Sequence, residues 1–286
     1  MKKKYKIRYQ GVILFFIVSL CFIGIIYSTI NIVVWKLDNN KTEKEINELE
    51  KLVIINEIDN PDMVEKNKVE NEIIEEKEPV VEIPKFDPYW DYIKMSLIDV
   101  NFSELKKINN EIIGWLKVEG TNINYPFVQT KDNSYYLTHS FNKEKNRSGW
   151  AFLDYRNNKD EYDKNTIIYG HNLHSGAIFG TLKNILNKSW QNNTNNHVIK
   201  ISTEKENTLW QVFSIYTIPN TSDYLDISFN SDEEFISFVE MITERSLYKF
   251  NTTVSKDDKI LTLSSCYKNS DNKLVLHAKL IKKQSK

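Results

Sequence analysis

From Gly11 to Trp35 the chain carries no charged residue and is built mostly of Val, Ile, Leu and Phe. A run of this kind has no water-facing side, and as a helix it is long enough to cross a bilayer, which takes about 20 apolar residues. Lys2, Lys3, Lys4, Lys6 and Arg8 stand just before it. Basic residues are retained on the cytoplasmic side, so residues 1–10 are expected there and everything after Trp35 outside the membrane. Tyr27 and Trp35 suit the outer interface, where amphipathic rings accumulate. A cleaved signal peptide has a shorter apolar core, roughly 7–15 residues, followed by a small-residue cleavage site. Neither feature is met cleanly here, so residues 11–35 are expected to be an uncleaved anchor.

Beyond the anchor the chain divides by texture. Residues 36–85 are dominated by Glu, Lys and Asn and lack the aromatics of the later sequence. They are expected to form a charged spacer, helical in places where Glu and Lys fall at i,i+4 spacing. Pro79, Pro84 and Pro88 mark its end, because proline interrupts helices and favours extended chain. Residues 86–286 then supply about 200 residues, enough for one well-filled domain. A net charge of −1 and a pI near 6.6 provide no basic field of the kind nucleic-acid binding relies on. Of the two cysteines, Cys21 falls within the span and only Cys266 in the exported part. No disulfide framework is available, and the odd thiol is a candidate reactive group.

Within the domain, short apolar and β-branched segments alternate with turn residues. A helical opening over Tyr89–Asn110 is expected. Strands are expected over 112–118, 123–129, 149–155, 166–169, 197–202, 209–218, 259–264 and 273–281. Their number and shortness predict a mostly antiparallel barrel or sandwich. A short helix is expected at 178–186 and a longer one at 232–248, where Phe235, Phe238, Val239 and Ile242 share one face. Ser231 with Glu234 reads as a capping box at its start.

Two strand ends carry chemistry. Lys259-Ile-Leu-Thr-Leu-Ser-Ser-Cys266 delivers a thiol, and Asn165-Thr-Ile-Ile-Tyr-Gly-His171-Asn172 delivers an imidazole. A cysteine and a histidine so placed fit a nucleophile with its proton partner. Around them stand Gly114-Trp115-Leu116, Tyr125-Pro126-Phe127-Val128-Gln129, Asn133 with Tyr136-Leu137, Phe152-Leu153-Asp154-Tyr155-Arg156-Asn157, Tyr169-Gly170-His171-Asn172, Phe179-Gly180-Thr181-Leu182 and Thr262-Leu263-Ser264-Ser265-Cys266. In this order, over about 200 residues, the set resembles a class B sortase. The resemblance implies a mostly β fold with flanking helices: an eight-stranded β-barrel, N-terminal helices and a long helix before the cysteine-bearing strand.

The resemblance also implies roles. Cys266 would attack the carbonyl of a Thr in a sorting signal and form a thioester, and His171 would shuttle the proton. Sortases carry an arginine on the strand after the cysteine, whereas this chain has Lys273 at the matching place and no arginine beyond Arg245. Lysine keeps the positive charge but lacks the planar fork that holds two acceptors. Asn133, Leu137, Ser264 and Ser265 match positions lining the peptide groove, and Asp154 with Arg156 reads as a structural pair at a strand end. The partners implied are surface proteins with an N-P-x-T or S-P-x-T type signal and a peptidoglycan-precursor amine. A hydrolytic peptidase and a non-catalytic peptide-binding module are alternatives on the same residues. No cofactor is implied. His139, His174, His197 and His277 fall in no metal-ligand spacing.

Overall fold

The computed structural model describes residues 9–58, 89–267 and 271–286. Most of the basic tail and the spacer from 59 to 85, with Pro79, Pro84 and Pro88, lie outside the described residues. The strands are β1 (Ile55–Ile58), β2 (Leu97–Val100), β3 (Ile112–Val118), β4 (Asn124–Val128), β5 (Phe152–Leu153), β6 (Asn165–Gly170), β7 (Val198–Thr203), β8 (Glu206–Pro219), β9 (Ile260–Tyr267) and β10 (Asn272–Ser285). The last eight close into a barrel of order β10-β8-β7-β3-β4-β5-β6-β9. Adjacent barrel strands are antiparallel except at β4–β5 and β6–β9. Closure removes unpaired edges, and the core of the domain includes the fully buried Trp115, Trp150 and Trp210.

The helix Asp232–Glu244 covers β8, β9 and β10 with Phe235, Phe238, Val239 and Ile242, which join Phe213, Tyr216, Ile260 and Val275 in one apolar cluster. Ser231 Oγ accepts from the Glu234 amide at 3.2 Å, which is the forward half of a capping box. The return half is displaced by one residue: Glu234 Oε2 accepts from the Asn230 amide at 2.6 Å.

Three segments differ from what the sequence suggests. The expected helix over Tyr89–Asn110 is two short helices, Tyr89–Tyr92 and Ser103–Ile108, around β2. The Leu97–Val100 segment is claimed by antiparallel pairing with β1, a partner some forty residues upstream that local propensity does not reveal. The strand expected over 149–155 shrinks to Phe152–Leu153, because the Trp150 amide turns to the Tyr136 carbonyl (2.9 Å) and that of Tyr155 to the Asn133 side chain (2.9 Å). The helix expected at 178–186 is a 3-10 helix over Phe179–Leu186.

The largest difference is at the N-terminus. The apolar helix does not stop at Trp35 but runs unbroken from Tyr9 to Leu52. Its last turns are not a solvated spacer: Asn39, Thr42 and Leu49 are buried against the domain, and β1 comes directly after them. The sequence conceals this because the docked face is mostly polar, so it shows no hydrophobic stripe.

Candidate active site

The parallel pairing of β6 with β9 builds the site. Two parallel strands end at the same rim of the barrel, and here the last paired residues are Gly170 and Ser265. The next position on each strand is His171 and Cys266. Of Cys266 only the backbone place in β9 is described, and there it sits opposite Lys273 of β10. Sequence alone cannot align β6 with β9, which lie about ninety residues apart; barrel closure does so.

His171 is anchored on three sides. Its carbonyl accepts from the amides of Leu173 (3.1 Å) and Phe179 (3.0 Å), which closes the chain behind it. Gly170 lies so close to Phe179 that a Cβ there would come within 2.6 Å of the ring. The ring Nε2 is 2.8 Å from the Leu137 carbonyl oxygen. A carbonyl only accepts, so Nε2 carries the hydrogen of this contact.

Leu137 is delivered by a local device. Asp132 Oδ1 accepts from the amides of Ser134 (2.7 Å) and Tyr135 (2.8 Å) and starts the 3-10 helix Tyr135–Leu137. These hydrogen bonds hold the Asp132 carboxyl below its usual range, the Ser134 hydroxyl contributing most. The loop returns through Gly149 at φ +61, where a Cβ would meet the Tyr136 carbonyl at 2.4 Å and His171 Cδ2 at 2.9 Å. Only glycine gives the chain this close approach in that conformation.

A cleft of about 260 Å³ opens at this rim, lined by Asn133, Leu137, His171, Ser264, Ser265 and Lys273. Thus the residues proposed from sequence for the site, other than Cys266, share one concavity. Ser264 and Ser265 are buried in its floor. Ser264 Oγ is 2.9 Å from the Tyr224 hydroxyl. Asn133 is occupied in part, since its Oδ1 accepts from the Tyr155 amide.

Sequence reasoning missed the opposite wall. Phe152, Tyr169, Asn220, Thr221, Tyr224 and Leu225 also line the cleft. The segment after β8 reads as an unpatterned polar loop, and only the tertiary structure folds it over the strand ends. It is pinned there by Asn165 of β6, whose Nδ2 donates to the Asp226 carbonyl at 2.9 Å. Arg156 ties the same wall to the core. It forks onto Asp154 with Nε to Oδ1 at 2.9 Å and Nη2 to Oδ2 at 2.8 Å, and Nη2 also reaches the Leu225 carbonyl at 2.9 Å. Burial works to raise the Asp154 carboxyl, but Arg156 and the Tyr169 hydroxyl at 2.9 Å hold it below its usual range.

Two of the other histidines, His277 and His197, are committed elsewhere. Buried His277 lies between the Tyr216 hydroxyl (2.8 Å) and Thr262 Oγ1 (2.9 Å). His197 lies between the Tyr92 hydroxyl (3.3 Å) and the Gln191 carbonyl (2.9 Å). A larger concavity of about 310 Å³ lies elsewhere, lined by Lys106, Glu111, Tyr162 and Lys205, and contains none of the candidate residues.

Comparison with known proteins agrees with this geometry. A sortase domain model matches residues 116–281. Sortase B of Listeria monocytogenes is 35% identical over 183 residues, covering 63% of this chain and 74% of that protein. A crystal structure of a Bacillus anthracis protein similar to sortase B is 44% identical with a TM-score of 0.58, covering 64% of this chain and 83% of that one. A Staphylococcus aureus sortase B–substrate complex is 33% identical with a TM-score of 0.59, covering 63% and 84%. With a closed eight-stranded barrel whose parallel β6 and β9 bring the histidine and cysteine positions to one rim, the chain belongs to the sortase family of transpeptidases and, within it, to class B.

Proposed function

We propose that the protein is anchored by residues 11–35, exposes its barrel outside the cell, and joins surface proteins to a peptidoglycan-precursor amine. The apolar part of the Tyr9–Leu52 helix supports the anchor: it is long and apolar enough to cross a membrane, with its side chains outward. The basic residues before it favour the exported orientation.

In this reading the Cys266 thiolate adds to the carbonyl carbon of Thr in an N-P-x-T or S-P-x-T type signal. The oxyanion that forms is stabilised by Lys273 and by strand-end amides. As the C–N bond breaks, His171 gives a proton to the departing amine, and the signal remains on sulfur as a thioester. The acceptor amine then adds to that thioester, His171 takes its proton, the new amide forms and the thiolate leaves. Sulfur suits both halves, because the thiolate is a strong nucleophile and a good leaving group.

The observation that carries this reading is the convergence of His171, Lys273, Ser264 and Ser265 on one cleft at the end of the strand bearing Cys266. The test is to incubate the purified full chain with sorting peptides, with and without an oligoglycine amine. Amine-dependent ligation that disappears in Cys266→Ala supports it. Cleavage that ignores the amine makes the protein a peptidase, and retention of peptide without turnover makes it a binding module.

A further inference from the structure

The helix that emerges from the apolar span grips the loop that holds His171. Thr42 is fully buried, and its Oγ1 accepts from Asn146 Nδ2 at 3.0 Å. Asn39 Oδ1 accepts from Ser148 Oγ at 3.0 Å. Glu45 Oε1 accepts from the Asn142 amide at 2.8 Å. Earlier on the same helix, Asn31 near the end of the apolar stretch accepts from Arg147 Nη1 at 3.2 Å.

The gripped residues are adjacent to the catalytic support. Gly149, next after Ser148, lies against the His171 ring edge, and its amide donates to the Asn146 carbonyl at 3.1 Å. The Asn146 amide in turn donates to the Thr138 carbonyl at 2.9 Å, which closes the loop beside Leu137 and its His171-bound oxygen. Buried polar pairs of this kind specify geometry, because a partner left unsatisfied costs more than a made bond gains.

We infer that Asn39 and Thr42 of the membrane-emergent helix are positioning residues for His171. By clamping Asn146 and Ser148, they hold the Leu137 carbonyl and Gly149 where the imidazole keeps its Nε2–H tautomer and its place at the rim where β9 ends. The anchor is then part of the catalytic architecture and not only a tether, since the same helix carries the span and the clamp. This inference rests on the role of His171 proposed above.

The test uses the full chain in lipid nanodiscs. Thr42→Val keeps the shape and removes the hydroxyl, Ser148→Ala removes the second grip, and Thr42→Ser restores the first. Because misplacement of a catalytic group lowers turnover without touching ground-state binding, the double variant is expected to lose kcat about tenfold with KM within about twofold. Thr42→Ser is expected to recover most of that rate. Nitrogen NMR of 15N-labelled histidine is expected to show His171 losing its fixed Nε2–H signature in the double variant. Unchanged kcat, or a loss that tracks only the folded fraction while the His171 signature stays intact, overturns the clamp. Turnover that survives Cys266→Ala refutes the underlying functional reading instead.

Discussion

Replacing Gly149 by alanine isolates the contact between the loop and the His171 imidazole. The new Cβ would stand 2.4 Å from the Tyr136 carbonyl oxygen, 2.9 Å from His171 Cδ2 and 3.0 Å from the Leu137 carbonyl oxygen, at φ +61. Reaching even 3.0 Å from the Tyr136 oxygen needs a shift of 3.0 − 2.4, or about 0.6 Å, of main chain, not of a flexible side chain. The positive φ adds roughly 1–2 kcal/mol for a residue with a Cβ. The shift strains the hydrogen bond from the Trp150 amide to Tyr136 (2.9 Å) and the one from His171 to Leu137 (2.8 Å), each worth about 1 kcal/mol. The total is about 2–4 kcal/mol, which lowers Tm by roughly 5–15 °C in a domain of this size. Activity should suffer more than stability, because a displacement approaching 1 Å at a catalytic group can cost about 100-fold in rate. The assay is peptide-to-amine ligation at a temperature where calorimetry shows the variant folded. A Gly149→Ala chain with unaltered kcat and Tm would refute the close approach of this loop to His171.

Two further predictions concern cations and protons. Lys273→Arg is expected to raise the ligation rate by about tenfold, since a planar fork can hold two substrate acceptors at once, the developing oxyanion among them, where an ammonium offers a point charge; a rate equal to or below that of the parent chain ends the view of Lys273 as a partial substitute. His277 is fully buried, and burial first and then the charge of Arg245 push its pKa down to about 3. The unfolded chain takes up that proton near pH 6.5 while the folded chain resists it, so stability is fully present above pH 6.5 and is lost as pH falls toward 3. At about 1.4 kcal/mol per pH unit the loss between pH 6.5 and about 4.5 is on the order of 2 kcal/mol. His197 is shifted the same way by burial. His277→Gln should therefore flatten, without abolishing, the acid slope of Tm measured by calorimetry, and an unchanged slope would remove His277 from the account.

Much of the barrel was legible because its strands carry their own signals. Ile112–Val118 and Asn165–Gly170 are β-branched and apolar, bounded by turns, and the structure keeps both as strands. The helix at 232 announced itself through Ser231 and four apolar residues at helical spacing, which are the four that are buried. Leu97–Val100 was read as helix because what makes it a strand is its pairing with β1, some forty residues upstream. The clamp at Asn39 and Thr42 was illegible for the opposite reason: a polar interface resembles a solvated surface until its partners, Asn146 and Ser148, are known.

The chain order by itself determined which side chains are candidates for reactive roles, where the apolar span lies and which segments are extended, because residue type, charge and periodicity are local properties. Tertiary structure alone decided that β6 and β9 run parallel to a shared rim and that Asn220, Thr221, Tyr224 and Leu225 wall the cleft. It also decided that the apolar helix continues into the domain. Those outcomes depend on which distant strand or loop satisfies each buried backbone and side-chain group, and that choice is made only when the barrel closes.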